Sequence, residues 1–581
     1  MKPNKITRPL AIASLMLLAG CATTTAPDQV ATYDLLIRNG TIYDGTGGAP
    51  YVGNVGITGD RIAYVGPPRP ARSGRMVDAG GLAVAPGFIN MLSWATESLI
   101  ADPRAQSDIR QGITTEVMGE GWSMGPQTPE MKKSSIEQQG DFKFPIEWTT
   151  LGEYLTYMEK RGIAPNIASF VGATTVRQHE LGERDVDPNP QQLDRMRGLV
   201  RQAMQEGAMG VGSSLIYPPA AFAETDELIA LVTEAGKCGG MYISHMRSEG
   251  DRLVESVDEL IEISRRSGAP AEIYHLKQAG RANWGKLDAV IARVEAARAQ
   301  GLKITADMYT YTAGGTGLAA SMPPWVQEGG VEAMLERLKD PKVVARVKAE
   351  MVRPGSDWEN LYHHAGPDRV LLSNIVDPSL KPLIGKTVAQ AAKDRGVSPE
   401  QLVIDLTLAD RGRIGALYFL MNEDNVRRQT SLPWMSFGSD AEAAAPEGIF
   451  LKSSTHPRAY GNFARFLGKY ARDEKTAPLA DAVRRLTSLP ADNLGIRDRG
   501  RLAPGMAADV VIFDPATIAD HATFEQPMQY ATGVRDVFIN GVAVLRDGNH
   551  TGATPGRFVK GPGWTGWPGG GACANGGKRP Q

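Results

Sequence analysis

The chain reads as α/β, a (β/α)8 TIM-like barrel carrying a β-sandwich made from its own two ends. Three observations lead there. Between residues 84 and 490, eight short apolar runs alternate with amphipathic stretches; residues 32–83 show strand-and-turn patterning; and the same patterning returns over 491–555. At 581 residues and 42% hydrophobic content, the chain has room for both parts.

From the N-terminus, residues 1–21 have the layout of an export signal: Lys2, Lys5 and Arg8, the apolar LAIASLMLLAG, then Cys21. Leu18-Ala19-Gly20-Cys21 resembles a bacterial lipobox, which implies lipidation of Cys21 and a lipid anchor to the membrane. An ordinary signal peptide with an incidental cysteine is the alternative. Ala22 after the cysteine favours the outer membrane, with the protein facing the periplasm, and residues 22–31 would be a flexible tether. Residues 32–83 carry Asn-Gly, Gly-Asp and Gly-Gly pairs between alternating runs, the signature of hairpins.

The eight candidate barrel strands are LAVAPGFIN, ITTEVMG, NIASFVG, MGVGSS, GMYISH, AEIYHL, LKITADM and WMSFGSD. Runs such as RLVESVDELIEISRRSG between them space apolar residues by three and four, as a helix packed on a sheet requires. Parallel neighbours need such crossovers. The interval 314–430 is too long for one crossover and is predicted to be a helical insertion near the barrel mouth, serving as a lid or as part of a pocket. The Gly-rich segment 556–581 reads as a disordered tail. Only Cys238 and Cys573 follow Cys21, so no disulfide framework is expected. The net charge of −2 gives no reason to expect nucleic acid, and no later run is apolar enough to span a bilayer.

The chemistry lies at strand ends. Glu120, His245, His275 and Asp440 each close an apolar run, and in a barrel such ends converge on one site. A carboxylate with two imidazoles suits Zn²⁺ and leaves a position for water. Asp440 is then placed to take a proton from that water and pass it to a leaving amine.

The segments YDLLIRNGTIYDGTG, APGFIN, GAMGVGSSLIYPPAAFAETDELIAL, GGMYISHMRSEG, HLKQAGRANW, ADMYTYTAGGTGL, SFGSDA, HPRAYGNFAR and LGIRDRGRLAPGMAADVVIFDP together resemble the amidohydrolase superfamily, and within it the D-aminoacylases. The resemblance covers nearly all of residues 32–550. It implies His245 and His275 as imidazole ligands of a tightly held zinc and Asp440 as the acid/base. It also implies Lys277, Tyr309 and Arg458 as the grip on a substrate carboxylate, which agrees with their chemistry.

Two departures stand out. The family's Asp-x-His-x-His frame reads Asn90-Met91-Leu92-Ser93-Trp94, so the weaker metal position lacks two ligands. The ligand Cys after the second strand is absent, and Glu120 lies beside the gap. The expectation is one zinc per chain, held by Glu120, His245 and His275, with Trp94 and Trp122 as an aromatic wall at the mouth. His363 and His364 are expected to be exposed. The function expected is hydrolysis of a C–N amide bond in an N-acyl amino acid, of D or L hand, the partner being a small molecule with a carboxylate. The alternatives are a catalytically silent binding lipoprotein, or a hydrolase of a cyclic amide, dipeptide or lactone. Oligomeric state is not readable.

Overall fold

The computed structural model describes residues 31–577. The expected export signal, Cys21 and all of the tether up to residue 30 lie outside the described residues. Eight parallel strands form the barrel: Phe88–Asn90, Ile113–Met118, Asn166–Ser169 with its continuation Val171–Gly172, Gly210–Ser214, Met241–His245, Ala271–Ile273, Ile304–Met308 and Met435–Phe437. The ring closes between the last strand and the first. Met91 N donates to Phe437 O (3.0 Å), Asp440 N donates to Leu92 O (2.8 Å), and Ser93 bridges Ala441 in parallel. Every residue of these strands is buried, which is why they read as continuous apolar runs and not as alternating ones.

The crossover helices follow local rules. Leu151–Arg161 and Pro190–Glu206 start with capping boxes, Thr150 with Glu153 and Asn189 with Gln192. Leu253–Ser267 buries Leu253, Val257, Leu260 and Ile261 on one face and ends at Gly268 in the left-handed region.

The two chain ends combine, as expected, into one sheet-rich unit, its nine strands connected by hydrogen bonds. Its spine is Ala31–Ile42, which pairs antiparallel with Tyr51–Thr58 and parallel with Ala71–Asp78, then with Ala83–Pro86. Ala83–Pro86 pairs antiparallel with Val510–Phe513, so the run LAVAPGFIN is divided between this sheet and the barrel. The register of the spine shifts between Ile37 and Gly40, and this shift lets one long strand change partners. Leu35, Ile37, Ile57, Val510 and Ile512 share its core.

Residues 314–430 are not wholly helical. Gly314–Gly317, Val370–Asn374 and Gly415–Tyr418 make a three-stranded antiparallel sheet among the helices, and the unit has its own core around Leu372, Leu402 and Tyr418. The tail also differs from expectation. Through residue 577 it is ordered beneath the barrel, and Cys573 forms a disulfide with Cys238. Its glycines are there for contact: a Cβ on Gly556 would meet Pro165 O at 1.9 Å, and one on Gly561 would meet Ala208 O at 2.1 Å. Val559 joins the core under the barrel interior.

Candidate active site

Barrel geometry brings Glu120, His245 and His275 together. One donor atom from each lies within 4.8 Å of the other two, and all three residues are buried. Glu120 Oε1 is the shared point, 3.0 Å from His245 Nδ1 and 2.9 Å from His275 Nε2. His245 Nε2 is buried without a hydrogen bond. Beside the triad stands Asp440, whose Oδ2 lies 2.7 Å from Arg458 NH1. Arg458 stacks over the Tyr309 ring at 4.5 Å, and Lys277 lies 5.5 Å from the same ring.

One functional carboxylate escaped the sequence reading. Glu249 accepts from Lys277 Nζ at 2.7 Å and lies 3.1 Å from His275 Nδ1 and 3.5 Å from His245 Nε2. It stands four residues past His245 in a loop, where spacing alone does not mark it. Its placement explains two features of the site. It orients the His275 imidazole from behind, as carboxylates do for metal-ligating histidines, and it engages the Lys277 ammonium.

Two backbone positions here are strained. His275 has φ 33° and Asp440 has φ 48°, a region that costs a non-glycine residue about 1–3 kcal/mol. Tertiary contacts hold both: His275 N donates to Asp307 Oδ1 (2.9 Å), and Asp440 N to Leu92 O (2.8 Å). The left-handed turn aims each side chain across the barrel mouth.

The electrostatics favour a cation. Three carboxylates, Glu120, Glu249 and Asp440, face two cations, Lys277 and Arg458, away from water. Burial opposes ionisation of Glu120, but the charge of His275 and the hydrogen bond from His245 hold its carboxyl well below the usual range. Burial and Lys277 push the His275 imidazole down, yet Glu120, Glu249 and Asp440 overcome them and hold it at about 10. A proton at that imidazole does the work a bound cation would do. Burial raises the Asp440 carboxyl, with Arg458 pulling against it. Burial also pushes the Tyr309 phenol up to about 12, so it stays a donor, and its hydroxyl has no hydrogen-bond partner.

The donor set fits zinc. It comprises one carboxylate and two imidazoles whose donor atoms lie within 4.8 Å of one another, with an excess of negative charge once the exchangeable proton on His275 is set aside.

These groups open into a cavity of about 750 Å³. Trp122, Met124, Phe142, Ile216 and Leu417 give it an apolar side. Thr316, Leu417 and Tyr418 come from the insertion, which therefore forms a wall of the pocket. Trp94 and Trp122 both line the cavity, Trp122 packing on Tyr217 at 5.8 Å between ring centres. Met91 and Leu92 are core residues, as their apolar character suggests. His363 is exposed as expected, whereas the side chain of His364 is only 5% exposed, turned in against Gly250 and Gly280. His456 is buried and accepts from Arg458 N at 3.0 Å, fixing the turn that presents the guanidinium.

A family model described as "Amidohydrolase family" matches residues 75–545. A D-aminoacylase of Alcaligenes xylosoxydans xylosoxydans is 32% identical over 535 residues, 91% of this chain and 97% of that one. Two solved structures are similar throughout. One is a D-aminoacylase studied for one-metal activation and second-metal attenuation of its binuclear centre, at TM-score 0.75 and 31% identity, covering 91% of this chain and 100% of the other. The second is an N-acyl-D-glutamate deacylase from Bordetella bronchiseptica, complexed with zinc and a phosphonate inhibitor. It matches at TM-score 0.74 and 28% identity over the same 91% and 100%.

Proposed function

The chain belongs to the amidohydrolase family, in its D-aminoacylase-like part, and from that premise we propose that it hydrolyses the amide bond of N-acyl-D-amino acids with a single zinc ion. The observation that carries the proposal is the convergence of two sets of groups on one cavity. Glu120, His245 and His275 form the candidate ligand triad, and Asp440, Arg458, Tyr309 and Lys277 stand beside it, with Lys277 Nζ 2.7 Å from His275 Nδ1.

When bound, zinc lowers the pKa of a water and polarises the scissile carbonyl. Asp440 accepts the proton of the attacking water and delivers it to the departing amine; its raised carboxyl suits both directions of transfer. Arg458 orients Asp440 through their ion pair, and its Nε, buried without a hydrogen bond, remains available to a substrate carboxylate. The Tyr309 hydroxyl and Lys277 complete that grip. The apolar wall of Trp122, Met124 and Ile216 receives the acyl chain.

The charges around the cavity favour a neutral amino-acid side chain. Lys277 and Arg458 are the cations among the described residues that line it, and both already face a carboxylate. Glu97 and Glu442 also line it and bring no cation; burial pushes both carboxyls up, Glu442 to about 7 with Glu97 beside it. An aspartyl or glutamyl side chain therefore finds no spare cation. The test is a kcat/KM panel of N-acetyl-D-leucine, -methionine, -phenylalanine, -glutamate and -aspartate with their L forms, on protein of measured zinc content. Turnover of the neutral D series with one zinc per chain supports the reading. Zinc-loaded protein that turns over no N-acyl amino acid sinks it. Absence of zinc after reconstitution would leave the silent binding lipoprotein.

For location, the proposal is an exported protein anchored through Cys21 to a membrane. The Cys238–Cys573 disulfide supports it, since such bonds persist in oxidising compartments. Metabolic labelling with palmitate should mark the wild type and spare Cys21→Ala; equal labelling of both excludes the anchor.

A further inference from the structure

Trp94 was expected to be a wall of the pocket, but its indole does something more specific. The single N–H of Nε1 lies 3.0 Å from Glu120 Oε2 and 3.1 Å from Asp440 Oδ1, donating to both. It thus joins a carboxylate of the candidate metal triad to the candidate acid/base. The other oxygens are already engaged: Glu120 Oε1 with the two imidazoles, Asp440 Oδ2 with Arg458. The ring's position is not accidental to a loose loop. Trp94 N donates to Ala441 O at 2.9 Å, and Ser93 bridges Ala441, so the closure of the barrel fixes the backbone on both sides of the contact.

We propose that the Trp94 indole N–H takes the place of a second metal ion. It rests on the one-zinc reading above and deepens it. Two carboxylate oxygens that face each other repel unless something positive lies between them. In a binuclear centre a cation does this; here the positive edge of an indole N–H does it without adding a charge. A metal ion needs its oxygens at about 2.0–2.2 Å, so no ion can bridge Glu120 and Asp440 without expelling the ring. Leu92, fully buried two residues earlier, offers no ligand in exchange. Trp94 is therefore a positioning residue. It holds Asp440 in a fixed position relative to Glu120 and keeps the site mononuclear, so an excess of zinc has no second place to act.

The test compares the zinc-loaded wild type with Trp94→Phe, which keeps the ring and removes the donor. Metal per chain is measured by equilibrium dialysis over rising zinc, kcat and KM over the same range, and the indole N–H of Trp94 by ¹⁵N-tryptophan NMR. The wild type should bind one zinc, keep its activity at high zinc, and show a downfield indole N–H protected from exchange. Trp94→Phe should bind a second, weaker equivalent and become inhibited by it. At one equivalent its kcat should fall about 10- to 100-fold, the usual effect of removing a group that orients a metal ligand, with KM nearly unchanged. Should Trp94→Phe fail to fold, the wild-type stoichiometry and NMR signal still decide. One zinc in both proteins with equal kcat, or an exposed, unshifted indole, overturns the inference while sparing the one-zinc reading. Two zinc ions or none in the wild type overturns both.

Discussion

Replacing Glu120 with Gln removes the one anionic donor of the triad and leaves its shape nearly intact. Before the change, three carboxylates face two cations in the buried site; afterwards the numbers are equal, and the excess negative charge that attracts a dication is gone. The amide also presents one nitrogen that cannot act as a ligand. It must face either the imidazoles, where Glu120 Oε1 now lies 2.9 and 3.0 Å away, or the Trp94 indole at 3.0 Å. Structural zinc sites in zinc-finger peptides are worth about 10–16 kcal/mol over four ligands, so one ligand carries roughly 2.5–4 kcal/mol. At 1.4 kcal/mol per decade, Glu120→Gln should weaken zinc binding by about two to three orders of magnitude. The assay is competition against a chelator of known affinity, followed by metal per chain and hydrolysis at saturating zinc. Activity should return in part when zinc is supplied in excess. A Glu120→Gln protein with the wild-type dissociation constant would refute the triad, and with it the charge argument that supports a metal here.

Three further outcomes follow from the same geometry. Asp440→Asn should keep its zinc and lose about 10²–10⁴ in kcat, the range for a positioned acid/base; loss of zinc instead would make Asp440 a ligand. Arg458→Met removes charge-assisted bonds worth about 1.5–3 kcal/mol each, so KM for an N-acyl-D-amino acid should rise about 10- to 100-fold, while an N-acyl amine lacking the carboxylate should show no such change in KM. Cys573→Ser opens a link across 335 residues, worth at most about 6 kcal/mol by chain entropy. Since the tail can release by itself, the expected result is early proteolysis near residue 556 with activity retained. Simultaneous loss of fold and activity would show the tail to be integral to the barrel.

The barrel was legible because a parallel strand covered on both sides must be a short apolar run, and all eight such runs became strands. The candidate ligands, which the fold brings together, were legible for the same reason: a polar residue closing an apolar run stands out. Glu249 was not, because its partners Lys277 and His275 lie nearly 30 residues downstream and meet it only when adjacent strands align. The Cys238–Cys573 pairing and the ordered tail were hidden for a related reason. Glycine content marks both a chain with nothing to bury and a backbone that must pass within contact of another, and only the fold separates the two. The insertion's sheet was missed because Gly314–Gly317 is three glycines around Thr316, too few side chains to carry a pattern. Trp94 read as a wall because its contact with Glu120 and Asp440 rests on one N–H, and a hydrophobic residue gives no sign of where its single polar atom points.

The strand Ala83–Pro86 pairs with Val510–Phe513, more than four hundred residues later, and shares a core with it. A ribosome has therefore made most of the barrel before the edge of the first sheet finds its neighbour. Until then Ala83–Pro86 lacks its antiparallel neighbour, and a chain halted short of residue 510 would present an unpaired, aggregation-prone border. Synthesis and folding are thus separated in time, and the sheet acts as a clasp that fastens only when the last strands arrive.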